Sequence, residues 1–330
     1  MNLSNSVKMG LSVLRYKLTG RRIPIAVAWL ITGRCNLDCH YCKWKDQRQV
    51  NELDTSTVKD MIDQMVACGV RLISFTGGEP LVRDDIGEII RHVKSRGVGC
   101  KLNSNGMLVP KRIEELRPLD LLQISIDGPP DVQDGLRGRG TSQKAAEAIE
   151  TARGAGVKVQ LIACLTRENV SRIDEVLDYG LELGAGFCFQ LLTPKYLGQE
   201  EVESCIPPKE DLLKALQYLR RLKRSSEPRR KAIASKLSEL DYYCDLLENG
   251  SPGCVCPLVT ATMMPDGTLI FCGNGISQDS YDAVSLGFRE AFSRLTIPEC
   301  DGCVCVGKLR LARVCRLDMA VIREMLGLWR

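Results

Sequence analysis

Ile25-Ala26-Val27-Ala28-Trp29-Leu30-Ile31-Thr32-Gly33-Arg34-Cys35-Asn36-Leu37-Asp38-Cys39-His40-Tyr41-Cys42-Lys43-Trp44 is the stretch on which the fold turns. Its first seven residues are an apolar run with β-branched members, the composition of a buried strand. Thr32-Gly33 breaks that run, and three cysteines follow with three and then two residues between them. Thiols so spaced on a loop at a strand's C-terminal end can all face one point. A structural zinc site takes four protein ligands. The nearest fourth candidate, His40, lies inside the loop beside a ligand, where closing a tetrahedron strains the chain. An iron–sulfur cubane held by three cysteines instead leaves one iron open to an outside ligand.

Outward from this loop the chain alternates apolar runs with helical patterns. The predicted strands are Ile25–Ile31, Leu72–Thr76, Val98–Asn103, Leu121–Ile126, Val157–Ala163 and Gly186–Leu192; the predicted helices are Thr55–Cys68, Ile86–Arg96, Lys111–Leu116, Ser142–Gly154 and Val170–Leu183. Such alternation predicts βαβ units and a parallel sheet. Six repeats suit an incomplete barrel as well as an open doubly wound sheet, and in both the chemistry belongs at the C-terminal strand ends. Unusual residues fall there. Strand two ends in Thr76-Gly77-Gly78-Glu79-Pro80, where two glycines let the backbone approach a ligand and a carboxylate suits an ammonium group. Strand three ends in Asn103-Ser104-Asn105-Gly106 and strand four in Ser125-Ile126-Asp127-Gly128. Each alone also reads as an ordinary turn.

The C-x3-C-x2-C spacing of Cys35, Cys39 and Cys42, with aromatic Tyr41 before the last, resembles the radical S-adenosylmethionine (radical SAM) superfamily. The later strand ends resemble the same family in order: Gly77-Gly78-Glu79-Pro80 its GGEP motif, Ser104 in its T-N-G turn, and Ser125 and Asp127 its S-x-D-G segment. The resemblance covers about residues 25 to 195. It implies a partial (β/α)6 TIM-like barrel in which Cys35, Cys39 and Cys42 hold a 4Fe–4S cluster, with S-adenosylmethionine chelating the open iron. GGEP would bind the amino group of the methionyl moiety, and Tyr41, Ser104, Ser125 and Asp127 would help hold the cofactor. It further implies an electron donor such as flavodoxin or ferredoxin, and a 5′-deoxyadenosyl radical that abstracts hydrogen from the substrate.

The C-terminal quarter is rich in Gly, Pro and Cys, the mark of a small module stapled by metal. Met264-Pro265-Asp266-Gly267-Thr268 predicts a β-hairpin turn, which would bring Cys256 near Cys272, while Cys300-Asp301-Gly302-Cys303 supplies a chelating pair. Four thiolates suit zinc or an iron–sulfur cluster. The arrangement resembles the SPASM or twitch extension of the superfamily, a small α+β auxiliary-cluster module, and implies at least one auxiliary 4Fe–4S cluster on Cys256, Cys272, Cys300 and Cys303. Cys254, Cys305 and Cys315 are alternates, because the second half departs from the SPASM spacing.

Composition bounds the rest. The chain has 330 residues, 16 of them Cys, and a formal charge of +4 that argues against a dedicated nucleic-acid binder. No segment reads as a signal peptide, so a cytoplasmic protein with metal-ligating cysteines is expected rather than a disulfide scaffold. Residues 1–24 hold Lys8, Arg15, Lys17, Arg21 and Arg22 and no acid, with Val7, Leu11, Leu14 and Leu18 on one helical stripe. This is either a basic amphipathic helix lying on a membrane surface or a helix packed against the barrel. The layout is then this basic segment, a core at 25–205, a helical linker at 206–249 and the cysteine module at 250–330. The linker's basic run from Arg220 to Lys231 reads as a solvated helix and linker, with a contact for an acidic partner as the other reading. With only His40 and His92 present, histidine general catalysis has little scope. Arg137 and Arg139, in the Gly-rich segment after strand four, either face the site or are solvated. A peptide or protein substrate is one reading, and a lipid, sugar or other small molecule another. A non-enzymatic zinc protein would leave GGEP and the polar strand ends without a purpose.

Overall fold

The computed structural model describes residues 3–20, 22–42, 51–192, 200–250, 259–272, 279–296, 305, 309 and 313–315. In chain order the elements are α1 (Leu3–Thr19), β1 (Ala26–Thr32), α2 (Thr55–Cys68), β2 (Leu72–Gly77), α3 (Ile86–Ser95), β3 (Gly99–Ser104), α4 (Val109–Leu116), β4 (Leu121–Ser125), α5 (Pro130–Arg137), α6 (Thr141–Gly154), β5 (Val159–Leu165), α7 (Ile173–Glu182) and β6 (Phe187–Leu191). There follow α8 (Glu200–Cys205), α9 (Lys209–Arg224), α10 (Leu237–Asn249), β7 (Thr260–Met263), β8 (Thr268–Ile270), β9 (Ser280–Asp282), α11 (Ala283–Leu286) and α12 (Phe288–Arg294). The predicted alternation forms as α/β architecture: β1 to β6 pair in parallel, each with the next in sequence.

Alternation along each strand decides which side faces the helices. Val27, Trp29 and Ile31 of β1 share one buried cluster with Ile73, Phe75, Leu102, Leu122, Ile124, Leu161 and Phe187, and with helix residues such as Met61, Ile89 and Ala148. Trp29 leans on Phe75 with ring centroids 6.2 Å apart. The intervening residues turn to the other face. Ala28, Ser74 and Lys101 lie in one register row, and Asn103, Gln123 and Gln160 in the next. Gln123 Nε2 donates to Gln160 Oε1 at 2.8 Å. The sheet therefore has a greasy side packed on helices and a side carrying amides and hydroxyls.

The sheet does not stop at β1. Its order is β6-β5-β4-β3-β2-β1-β7-β8-β9, with β7 parallel to β1 and the β7–β8 hairpin antiparallel at the predicted Asp266-Gly267 turn. The composition change near residue 250 thus divides the sequence but not the sheet. At the other edge, Ala234 and Ser235 donate to Phe187 O, and Ser235 Oγ accepts from Phe189 N at 2.9 Å. This segment covers β6, which would otherwise present unpaired backbone groups. The basic run is solvated as expected, with Arg221, Arg224, Arg230 and Lys231 exposed, and some of its arginines pair with acids of the fold. Arg229 makes paired bonds to Asp178, both at 2.7 Å, and Arg224 reaches Asp241 at 3.3 Å.

α1 packs through a face other than the apolar stripe. Val13 is buried, with Tyr16, against Ile25, Val259 and Cys315. Leu11, Leu14 and Leu18 are 59%, 53% and 77% exposed. The helix therefore packs against the body of the protein, but not through that stripe: residues 13 and 16 lie roughly opposite it on a 3.6-residue helix. No helix among the described residues is long and apolar enough to cross a membrane.

Candidate functional site

The three-cysteine loop leaves β1 at Thr32 and is fastened at once to the end of β2. Gly78 N donates to Thr32 O at 2.9 Å, and Glu79 N to Arg34 O at 2.8 Å. A Cβ on Gly77 would stand 2.3 Å from Thr32 O, and one on Gly78 2.1 Å from Arg34 O. No side chain fits at either place, and Gly77 also has φ +131°. The close approach that the two glycines permit here is that of the cysteine loop's own backbone.

Glu79 is fully buried. Its Oε1 accepts from Leu81 N at 3.1 Å and Ser104 Oγ at 2.9 Å, and its Oε2 from Asn105 N at 2.7 Å. Burial pushes its pKa up to about 7 against an ordinary 4.5, while the three donors oppose the rise. Its oxygens face donors of the fold, which join the ends of β2 and β3. Pro80 begins the 3₁₀ turn that Glu79 caps, and Ser104 accepts in turn from Gly106 N at 3.0 Å. The next residue reaches the loop. Asn105 Nδ2 donates to Asn36 Oδ1 at 2.8 Å and points at Cys35 Sγ from 3.9 Å.

The end of β4 grips the loop from another side. Asp127 is fully buried. Its Oδ2 accepts from the Tyr41 hydroxyl at 2.6 Å and from Arg137 Nε at 2.7 Å, and its Oδ1 from Cys164 N at 3.0 Å. Gln133 Oε1 accepts from Asp127 N at 2.8 Å, and Gln133 Nε2 donates to Ser125 O at 3.4 Å. Asp127 is therefore an internal hub, with its oxygens engaged by the fold. Burial raises the Tyr41 phenol well above its usual value and pushes the Cys164 thiol up to about 12. Ser125 is half-buried at the end of the strand.

These clasps leave Cys39 buried and Cys35 and Cys42 half-buried. Burial pushes the Cys39 thiol up to about 11, and the other two thiols act on it in the same direction. A bound metal must therefore supply the charge that turns Cys39 into a thiolate. Among the described residues no three His, Cys, Asp or Glu side chains converge as a single ion requires. Three thiols on one short loop, with an amide N–H aimed at one sulfur, fit a thiolate-held iron–sulfur cluster, whose sulfurs take such hydrogen bonds. His40 is exposed and contributes its backbone N–H to Leu136 O at 2.8 Å.

The model of the radical SAM superfamily matches residues 29–180, the interval that holds every contact above. Residues 29–180 are a radical SAM domain. Among relatives, the mycofactocin maturase MftC of Mycolicibacterium smegmatis is 32% identical over 197 residues, 58% of this chain and 50% of that protein. The AdoMet-dependent heme synthase of Methanosarcina barkeri is 32% identical over 188 residues, 54% of each. The chain spans about half the length of these relatives. Streptococcus suis SuiB, solved with precursor peptide SuiA, superposes with a TM-score of 0.67 at 18% identity, over 88% of this chain and 68% of that one. That likeness is one of fold, and it agrees with a partial barrel.

Two residues that the motifs do not mark take part: Asn105, beside Ser104 in its turn, and Arg137, which faces the site rather than solvent. α5, which carries Arg137, is a helix where Gly and Pro suggested a loop. Of the second cysteine group, Cys254, Cys256, Cys300 and Cys303 lie outside the described residues. Cys272 follows β8 and is half-buried, as is Cys305. Cys315 is buried with Val13, Ile25 and Val259, the surroundings of a core cysteine.

Proposed function

We propose that the chain is a radical SAM enzyme whose cluster is held by Cys35, Cys39 and Cys42. The observation that carries this reading is the convergence of three strand ends on one three-cysteine loop inside the matched domain. A 4Fe–4S cluster with S-adenosylmethionine supplies, when bound, one-electron cleavage of the sulfonium C–S bond and a hydrogen-abstracting radical. The chain's residues do the positioning. Gly77 and Gly78 let loop and strand end touch, Glu79 and Ser104 hold the β3 turn, and Asn105 directs an N–H to Cys35. Tyr41 is locked by Asp127, and Ser125 lies at the same rim. A one-electron donor protein such as flavodoxin or ferredoxin would serve the loop. Cys256, Cys272, Cys300 and Cys303 would carry an auxiliary 4Fe–4S cluster, supported by the hairpin that ends at Cys272.

A peptide is the favoured substrate, since a protein of this fold was solved with its precursor peptide. A relative's name, heme synthase, keeps a small-molecule substrate as the second reading. The exposed stripe of α1, with its basic neighbours, supports peripheral contact with an anionic lipid surface, which vesicle binding would test.

Anaerobically reconstituted protein is expected to hold about eight irons, from two four-iron clusters, and to form 5′-deoxyadenosine under reducing conditions. Cys39→Ala should abolish that product, and Cys272→Ala should halve the iron. Stoichiometric zinc without iron, or undiminished cleavage by Cys39→Ala, would refute the assignment.

A further inference from the structure

Arg137 ends α5, and its side chain is 11% exposed. Its Nε donates to Asp127 Oδ2 at 2.7 Å, and one terminal nitrogen donates to the Tyr41 hydroxyl. The guanidinium carbon stands 5.5 Å from the centre of the Tyr41 ring. The preceding carbonyl, Leu136 O, accepts from His40 N at 2.8 Å. His40 and Tyr41 are the two residues between Cys39 and Cys42, so the end of α5 holds the loop at the segment linking two of its thiols. Val132 and Leu136 of α5 are buried with Tyr41 and Cys205, which fixes the helix against the loop.

Charge reaches further here than in water, because Asp127 and Tyr41 are buried and Arg137 is nearly so. Asp127 and Arg137 form a pair, but the carboxylate is also met by the Tyr41 hydroxyl at 2.6 Å and by Cys164 N at 3.0 Å, while the guanidinium lies over the Tyr41 ring, on the loop itself. A cluster on three thiolates becomes more negative when it accepts an electron, and local charge and hydrogen bonds set its potential. A fixed cation on this side favours the reduced form.

We propose that Arg137 is a positioning residue that clasps the three-cysteine loop through Tyr41 and places a buried positive charge on the segment between Cys39 and Cys42, making a cluster on this loop easier to reduce. The inference rests on the reading of the loop as a cluster site.

Its test is a redox titration, followed by electron paramagnetic resonance, of the reconstituted full-length chain and four variants. Arg137→Met should lower the midpoint potential of the first cluster, and Asp127→Asn should raise it. The Asp127→Asn/Arg137→Met double variant should fall between the two singles. Arg137→Lys should stay nearer to wild type than Arg137→Met does. A buried carboxylate left without its partner destabilises a fold. If Arg137→Met does not fold, the double variant and Arg137→Lys carry the comparison, and the double variant must then fall below Asp127→Asn. Cluster-loaded variants with unchanged potentials, or with both single substitutions shifting it the same way, would overturn the role of Arg137. A wild-type chain that takes up no cluster would instead overturn the reading beneath it.

Discussion

Glu79 shows how a residue can be plain in the sequence while its role is decided by what surrounds it. Its position after two glycines marks a strand end; only the fold brings Ser104 and Asn105, some 25 positions on, to the carboxylate. The fold holds the proton of Glu79 up to about pH 7, whereas the unfolded chain releases it near 4.5. Between those values the native state binds more protons than the unfolded state, so stability falls as pH rises through that window and levels off above it. The shift corresponds to roughly 3 kcal/mol. Urea unfolding of the cluster-free chain at pH 5 and pH 8 should show that loss in wild type and lack it in Glu79→Gln. The variant should be less stable at pH 5, because its amide N–H meets the Asn105 N–H donor. Equal pH dependence in both proteins would show that Glu79 does not titrate as its burial dictates.

Among the elements, α1 and α5 were the hardest to read. The stripe of Val7, Leu11, Leu14 and Leu18 has helical period, and a helix forms, but periodicity does not say which face meets the body of the protein. Ile25 and Val259 accept Val13 and Tyr16 and leave the leucines outside. Substituting Leu14 and Leu18 by Asp should therefore leave the unfolding midpoint within about 0.5 kcal/mol of wild type. It should also abolish binding to phosphatidylserine-containing vesicles, with no wild-type binding to pure phosphatidylcholine. Retained vesicle binding would remove the membrane role, and dimer dissociation on substitution would assign the stripe to a second copy. α5 was hidden for a different reason. Pro129, Pro130, Gly135 and Gly138 lower helix propensity, so local sequence argues for a loop. Burial of Val132 and Leu136 outweighs that propensity, and Pro130 is tolerated because it sits in the first turn.

At the scale of the molecule, the central strand β1 depends on residues more than 230 positions away. Val259 O accepts from Ile25 N at 2.8 Å, and β7 pairs with β1 from Ala26 to Trp29. Val259, Met263, Leu269 and Phe271 are all buried. At roughly 1.5–3 kcal/mol per large apolar side chain, these four rival the entire stability of an ordinary domain. A chain ending at Gly250 should lose cooperative unfolding and aggregate through the bared edge of β1; cooperative unfolding near the full-length midpoint would show the C-terminal part to be an independent unit. The sequence by itself determined the strand–helix alternation, the three-cysteine loop at the end of β1 and the order of the polar strand ends, because these follow from periodicity and from residue types with few alternative uses. It could not decide the partners. That the double glycine seats the loop, that Asp127 and Glu79 are spent on the fold, that Arg137 turns inward and that the last strands join β1 are all contacts between distant segments. Their energy comes from burial and from pairing buried charge, terms that exist only once the chain has closed around them.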